Sequence, residues 1–104
     1  MTADWTFLSN HAHVLVCVFR DPDALLRDVA ASVGITEGAV QRIVADLVDA
    51  GYLERTRIGR RNRYELKLEM PLRHPLEGDA AIGEILEIVG PPAATPAPKR
   101  KRKK

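Results

Sequence analysis

Apolar residues recur at helical spacing three times in the first half of the chain. Val14, Leu15, Val18 and Phe19, on a segment that runs through His11, form one such set, Leu26, Val29, Ala30 and Val33 a second, and Val40, Ile43, Val44 and Leu47 a third. Positions i, i+3, i+4 and i+7 lie along one side of a helix, so three amphipathic helices are predicted. Ser9 or Asn10 would cap the first, with Asp21-Pro22-Asp23 ending it. The run VLVCVF is β-branched enough to suit a buried strand by pattern alone, and its helical neighbours favour helix. The second helix is placed at 24–33 and closed by Gly34. The third spans 36–50, opening at Thr36 and stopping before Gly51. After Gly51 the period becomes two. Strands are predicted at 52–58 and 63–68, around a loop of Gly59, Arg60, Arg61 and Asn62 whose glycine and asparagine tolerate positive φ. Tyr64, Leu66 and Leu68 alternate with Glu65, Lys67 and Glu69, giving one buried face and one wet face. A last helix, capped by Asp79, would bury Ile82, Ile85, Leu86 and Val89 and end at Gly90-Pro91-Pro92.

These elements make one α+β domain, mostly α, over residues 1–90. Residues 91–104 form a proline-alanine linker and basic tail with nothing to bury, and are expected to be disordered. The whole chain of 104 residues is long enough for one modest core. Its net charge of +2 hides an uneven distribution. The terminal KRKRKK contributes six positive charges, leaving −4 on residues 1–98. Within that acidic body, residues 54–63 (ERTRIGRRNR) hold five arginines against one glutamate. Such a local excess beside an amphipathic helix suits a polyanionic partner. The single cysteine, Cys17, precludes an internal disulfide and fits a reducing compartment. With no apolar run of membrane-spanning length and no signal-peptide pattern at the start, the expectation is a cytoplasmic protein, associated with the nucleoid.

The segment LLRDVAASVGITEGAVQRIVADLVDAGYLERTRIGRRNRYEL, in the order helix, turn, helix, arginine-rich hairpin, resembles the winged helix-turn-helix transcription regulators of the MarR/ArsR type. With its flanking helices the resemblance covers about residues 5–90. It implies a three-helix core, a two-stranded wing and an extra C-terminal helix. It further implies a homodimer, built through the N- and C-terminal helices, on double-stranded DNA. Helix 36–50 would then enter the major groove, and wing 57–63 would touch the backbone or minor groove. On that view Thr36 and the free amides behind it would receive a phosphate. Gln41 suits adenine, and Arg42 suits guanine or a phosphate. Gly38 permits close approach, and Glu37 either accepts from cytosine or satisfies the helix dipole. Arg60, Arg61, Asn62 and Arg63 would make the wing contact, with Arg27 and Arg57 as phosphate clamps.

Two other uses of such a fold are a module docking protein or RNA, and an ArsR-like metal sensor. His13 and Cys17 are four apart and share a helix face, and His11 lies nearby. Three ligand types among apolar neighbours fall short of a zinc set, so packing is the stronger expectation for Cys17 and no metal or other cofactor is assigned. No phosphate loop, activated nucleophile or paired acids are present, which argues against an enzyme. The last helix carries acids and neither lysine nor arginine, so it suits a partner subunit or its own core, not DNA. The tail would add sequence-independent attraction to DNA, and by composition it equally suits a nuclear-import-like string or an end of little consequence.

Overall fold

The computed structural model describes residues 5–90, in the order α1 (Asn10–Arg20), α2 (Leu26–Val33), α3 (Glu37–Asp49), β1 (Leu53–Ile58), β2 (Arg61–Leu66), a 3-10 turn (Pro75–Glu77) and α4 (Ile82–Val89). The linker and tail assigned to 91–104 lie outside the described residues, as does Pro91-Pro92.

α1 starts where Ser9 accepts the Ala12 N–H at 3.2 Å, and Asp21 ends it. The VLVCVF run is helical throughout, burying Val14, Leu15, Val16 and Val18. The β-branched residues are tolerated because tertiary burial outweighs their small propensity penalty. α2 begins at Leu26, two residues later than the sequence pattern places it. The Ala24 N–H instead closes a turn on the Asp21 carbonyl at 3.0 Å. Gly34, at φ 90°, lets the N–H groups of Gly34 and Ile35 both close on the Ala30 carbonyl and re-aims the chain into α3.

The end of α3 is fixed locally as well. Gly51, at φ 89°, donates to the Val48 carbonyl, and Tyr52 donates to that of Leu47 at 2.9 Å, the two bonds of a Schellman stop. The core gathers Val14, Leu15 and Val18 of α1, Val29 and Ala30 of α2, and Val40, Ile43, Val44 and Leu47 of α3. Val16, Tyr52, Leu53, Tyr64, Ile82 and Leu86 complete it.

β1 and β2 pair antiparallel from Leu53↔Leu66 to Ile58↔Arg61. The connecting loop is Gly59-Arg60 alone, with Gly59 at φ 61°. Arg61 and Asn62, assigned to the loop from sequence, therefore belong to β2, and the second strand ends at Leu66, short of Leu68. A two-residue turn matches the strand twist, so the ladder continues to its very edge. The loop after β2 then caps α4. Carbonyls of Met70 and Leu68 accept the N–H groups of Ile82 and Gly83 at 2.8 and 2.9 Å, and Glu84 accepts from the Ala81 N–H at 3.1 Å. Ala81, not Asp79, thus occupies the cap position, because main-chain carbonyls already satisfy the amides a side-chain cap would serve.

α4 packs within the subunit, burying Ile82, Gly83 and Leu86 and resting on α1, while Ile88 is 81% exposed and Val89 half-exposed. The architecture is a winged helix-turn-helix with one added helix. No helix of the described residues is long and apolar enough to cross a membrane.

A Cβ at Gly83 would stand 2.9 Å from both the Leu68 carbonyl oxygen and the Leu68 Cβ. Gly83→Ala is therefore expected to lower stability by about 1–3 kcal/mol, since overpacking must push the loop away. Urea unfolding checks this, and an unchanged midpoint would show that the loop yields freely.

Candidate nucleic-acid interface

α3 is buried on one side only. Val40, Ile43, Val44 and Leu47 face the core, and Glu37, Gly38, Gln41, Arg42 and Ala45 are exposed. Thr36 opens the helix by accepting the Ala39 N–H at 3.0 Å, so its hydroxyl is engaged as a cap. At Gly38 the space a side chain would fill is open apart from the Thr36 hydroxyl, 4.0 Å away. Glu37 sits in the first turn, where its carboxylate opposes the positive end of the helix.

The wing rises beside this end of α3. Its base is anchored by Leu53 and Tyr64, both buried, and everything on β1 beyond Leu53 is exposed. Arg27, Glu37, Arg60, Arg61 and Asn62 line one cleft of about 240 Å³, which joins the first turns of α2 and α3 to the tip of the hairpin. Three arginines and one glutamate thus border the same cleft, with no ion pair formed between them. Thr36, Gly38, Gln41 and Arg42 lie outside that cleft, on or at the start of the outward strip of α3.

The wing arginines are not equivalent. Arg57 donates from Nε to the Gly59 carbonyl at 3.1 Å, curling over the turn. Arg63 reaches back across the fold to Asp23, Nη1 to Oδ2 at 2.7 Å, and Arg61 donates to the main-chain carbonyl of the same aspartate. Among the described residues the ion pairs are Arg63–Asp23, Lys67–Glu54 and the contact of His11 with Asp46, and none involves Arg42, Arg57 or Arg60.

Sequence reasoning passed over two residues here. Arg55 lies opposite Tyr64 and shares a strand face with Arg57, which the alternation from Leu53 already encodes. Asp23 looked like a turn residue, and no local signal marks its contact with a strand 40 positions away.

A family model for the MarR family matches residues 6–63. The chain belongs to the MarR family. Among solved structures, this MarR-family chain is similar to AdcR, a zinc-dependent MarR family transcriptional regulator in its Zn(II)-bound state. Identity is 20% and the TM-score 0.46, over 64% of this chain and 47% of that one. The chain spans about half the length of that regulator. No curated protein matches it.

The candidate metal ligands are dispersed. His11 Nε2 lies 2.9 Å from the Asp46 carboxylate and ties α1 to the later part of α3. His13 Nδ1 lies 3.2 Å from the Asn10 side-chain oxygen, and Cys17 is half-buried. Among the described residues no group of three or more His, Cys, Asp or Glu is arranged to hold a metal.

Burial pushes the Cys17 thiol up from its ordinary range, partly opposed by Arg20. The thiolate is the reactive form, so Cys17 should alkylate with iodoacetamide at pH 8 more slowly in the folded chain than in urea. Equal rates, followed by mass spectrometry, would show the thiol open to solvent.

Proposed function

We propose that this MarR-family chain is a DNA-binding transcriptional regulator that acts as a homodimer and controls transcription by occupying an operator. The observation that carries the proposal is the single-sided burial of α3, which leaves Gln41 and Arg42 outward beside a hairpin whose arginines, Arg63 excepted, meet no carboxylate among the described residues. A helix about 10–12 Å across fits the major groove. There Gln41 matches the adenine edge, and Arg42 matches guanine O6 and N7. Gly38 allows the helix to seat closely. The cleft formed by Arg27, Arg60, Arg61 and Asn62 would lie over the flanking backbone, and Arg57 extends that positive surface along β1. The helix start at Thr36, whose hydroxyl is engaged in capping, would offer main-chain amides to a phosphate, and Glu37 would accept from cytosine or satisfy the helix dipole.

Apolar surface at both ends of the described residues supports self-association. Trp5 and Phe7 form an edge-to-face pair with ring centres 5.0 Å apart, and they are 67% and 92% exposed. Leu76, Ile88 and Val89 are exposed near the other end. Exposed aromatic and branched aliphatic groups favour contact with a second copy. We place the dimer contact on α1, the segment before it and α4, with residues 1–90 as the DNA-binding and dimerising unit. Residues 91–104 form a linker and basic tail that add non-specific affinity.

Fluorescence anisotropy against genomic fragments should show binding well above that for random duplexes. Arg42→Ala should relax preference at one base position and cost about 1–3 kcal/mol there. Uniform loss on every sequence would make Arg42 a phosphate contact instead. The competing use of such a fold, docking of a protein or an RNA, predicts duplex affinity no greater than that of an unrelated basic protein.

A further inference from the structure

A two-stranded hairpin is marginally stable in water by itself, so something must hold this wing at a fixed angle to α3. The base is held by Tyr64 in the core, and by the Tyr64 N–H, which donates to the Pro22 carbonyl at 3.1 Å. Beyond Tyr64 toward the tip, no residue of either strand is buried. Asp23 supplies the remaining tie. Its carboxylate takes the Arg63 guanidinium at 2.7 Å, and its main-chain carbonyl takes Arg61, so one residue of the α1–α2 connection grips two alternate positions of β2. Arg63 is the one wing arginine whose charge meets a carboxylate among the described residues. Its contact is also monodentate, one nitrogen to one oxygen.

We propose that Asp23 is a positioning residue for the wing, and that Arg63 is its anchor and not a contact to DNA. A phosphate could recruit Arg63 only by breaking this pair and loosening the hairpin that carries Arg57 and Arg60. The wing cations that no carboxylate meets, Arg55, Arg57, Arg60 and Arg61, are therefore the ones that face the polyanion. The assignment of Arg63 rests on the DNA-binding reading, whereas the anchoring of the wing by Asp23 stands apart from it.

Hydrogen–deuterium exchange on the full chain without DNA tests the anchor. Asp23→Asn and Arg63→Gln should each speed exchange at residues 56–63 by about twofold to fivefold, the scale of a half-exposed ion pair. The double variant should be no faster than either single one. Arg63→Lys should restore slow exchange, because a single donated bond to Asp23 is all the geometry uses. Unchanged exchange in Asp23→Asn, or strictly additive effects, would overturn the anchoring.

Anisotropy titrations across salt concentrations test the assignment. Arg60→Gln should reduce the slope of log affinity against log salt by roughly 0.9, the loss of one phosphate contact on duplex DNA. Arg63→Gln should leave that slope where it is in the natural chain. A fall of the same size for Arg63→Gln would show that Arg63 is itself a DNA contact. A natural chain with no salt-sensitive duplex affinity would remove the DNA-binding reading and the assignment with it, while the exchange data would still decide the anchor.

Discussion

The seating of Val40, Ile43, Val44 and Leu47 against α1 and α2 is the constraint from which the other features follow. These four side chains occupy one stripe of a 13-residue helix. Burying each is worth about 1.5–3 kcal/mol relative to exposure, so the rotation of α3 about its own axis is not negotiable. With that angle set, Gln41 and Arg42 have nowhere to point but outward. The polar strip is thus a by-product of the core, and its orientation is as rigid as the packing behind it.

The wing obeys a different logic. Its inner end shares the core through Leu53 and Tyr64, while its outer end depends on contacts with the α1–α2 connection. The inner end is governed by hydrophobic burial and the outer end by polar contacts that salt can reach. Arginine is well suited to this division. Its guanidinium is always charged and offers several donors, so neighbouring positions on one strand can serve the fold or an external anion according to what lies within reach.

Much of this was legible in the sequence because the deciding interactions are local. Thr36 as a cap, Gly34 and Gly51 as left-handed stops, and three apolar stripes at helical spacing place α1 and α3 to within a residue or two, and α2 at its C-terminal end. The hairpin was legible in kind but not in register. Gly59 and Asn62 both suit a turn, and only the ladder shows that the tighter loop wins, with Asn62 paired to Arg57. The start of α4 was missed for a related reason. Asp79 has the right chemistry for a cap, yet carbonyls of Leu68 and Met70 do that work from a loop whose path no periodicity encodes. At the candidate interface, which residues are exposed could be read from helical phase. Which arginines are already engaged could not, because Asp23 and Arg63 stand 40 positions apart with α2, α3 and β1 between them.

The Tyr52 hydroxyl donates to the Pro71 carbonyl, and Gly83 interlocks with Leu68 a short way beyond. Tyr52 follows directly on the stop that ends α3, while Pro71 pairs with Ala81 at the threshold of α4. The exit from α3 and the entry to α4 therefore rest on one short stretch of chain, residues 68–71, so a side chain that displaced it would disturb both helix ends together.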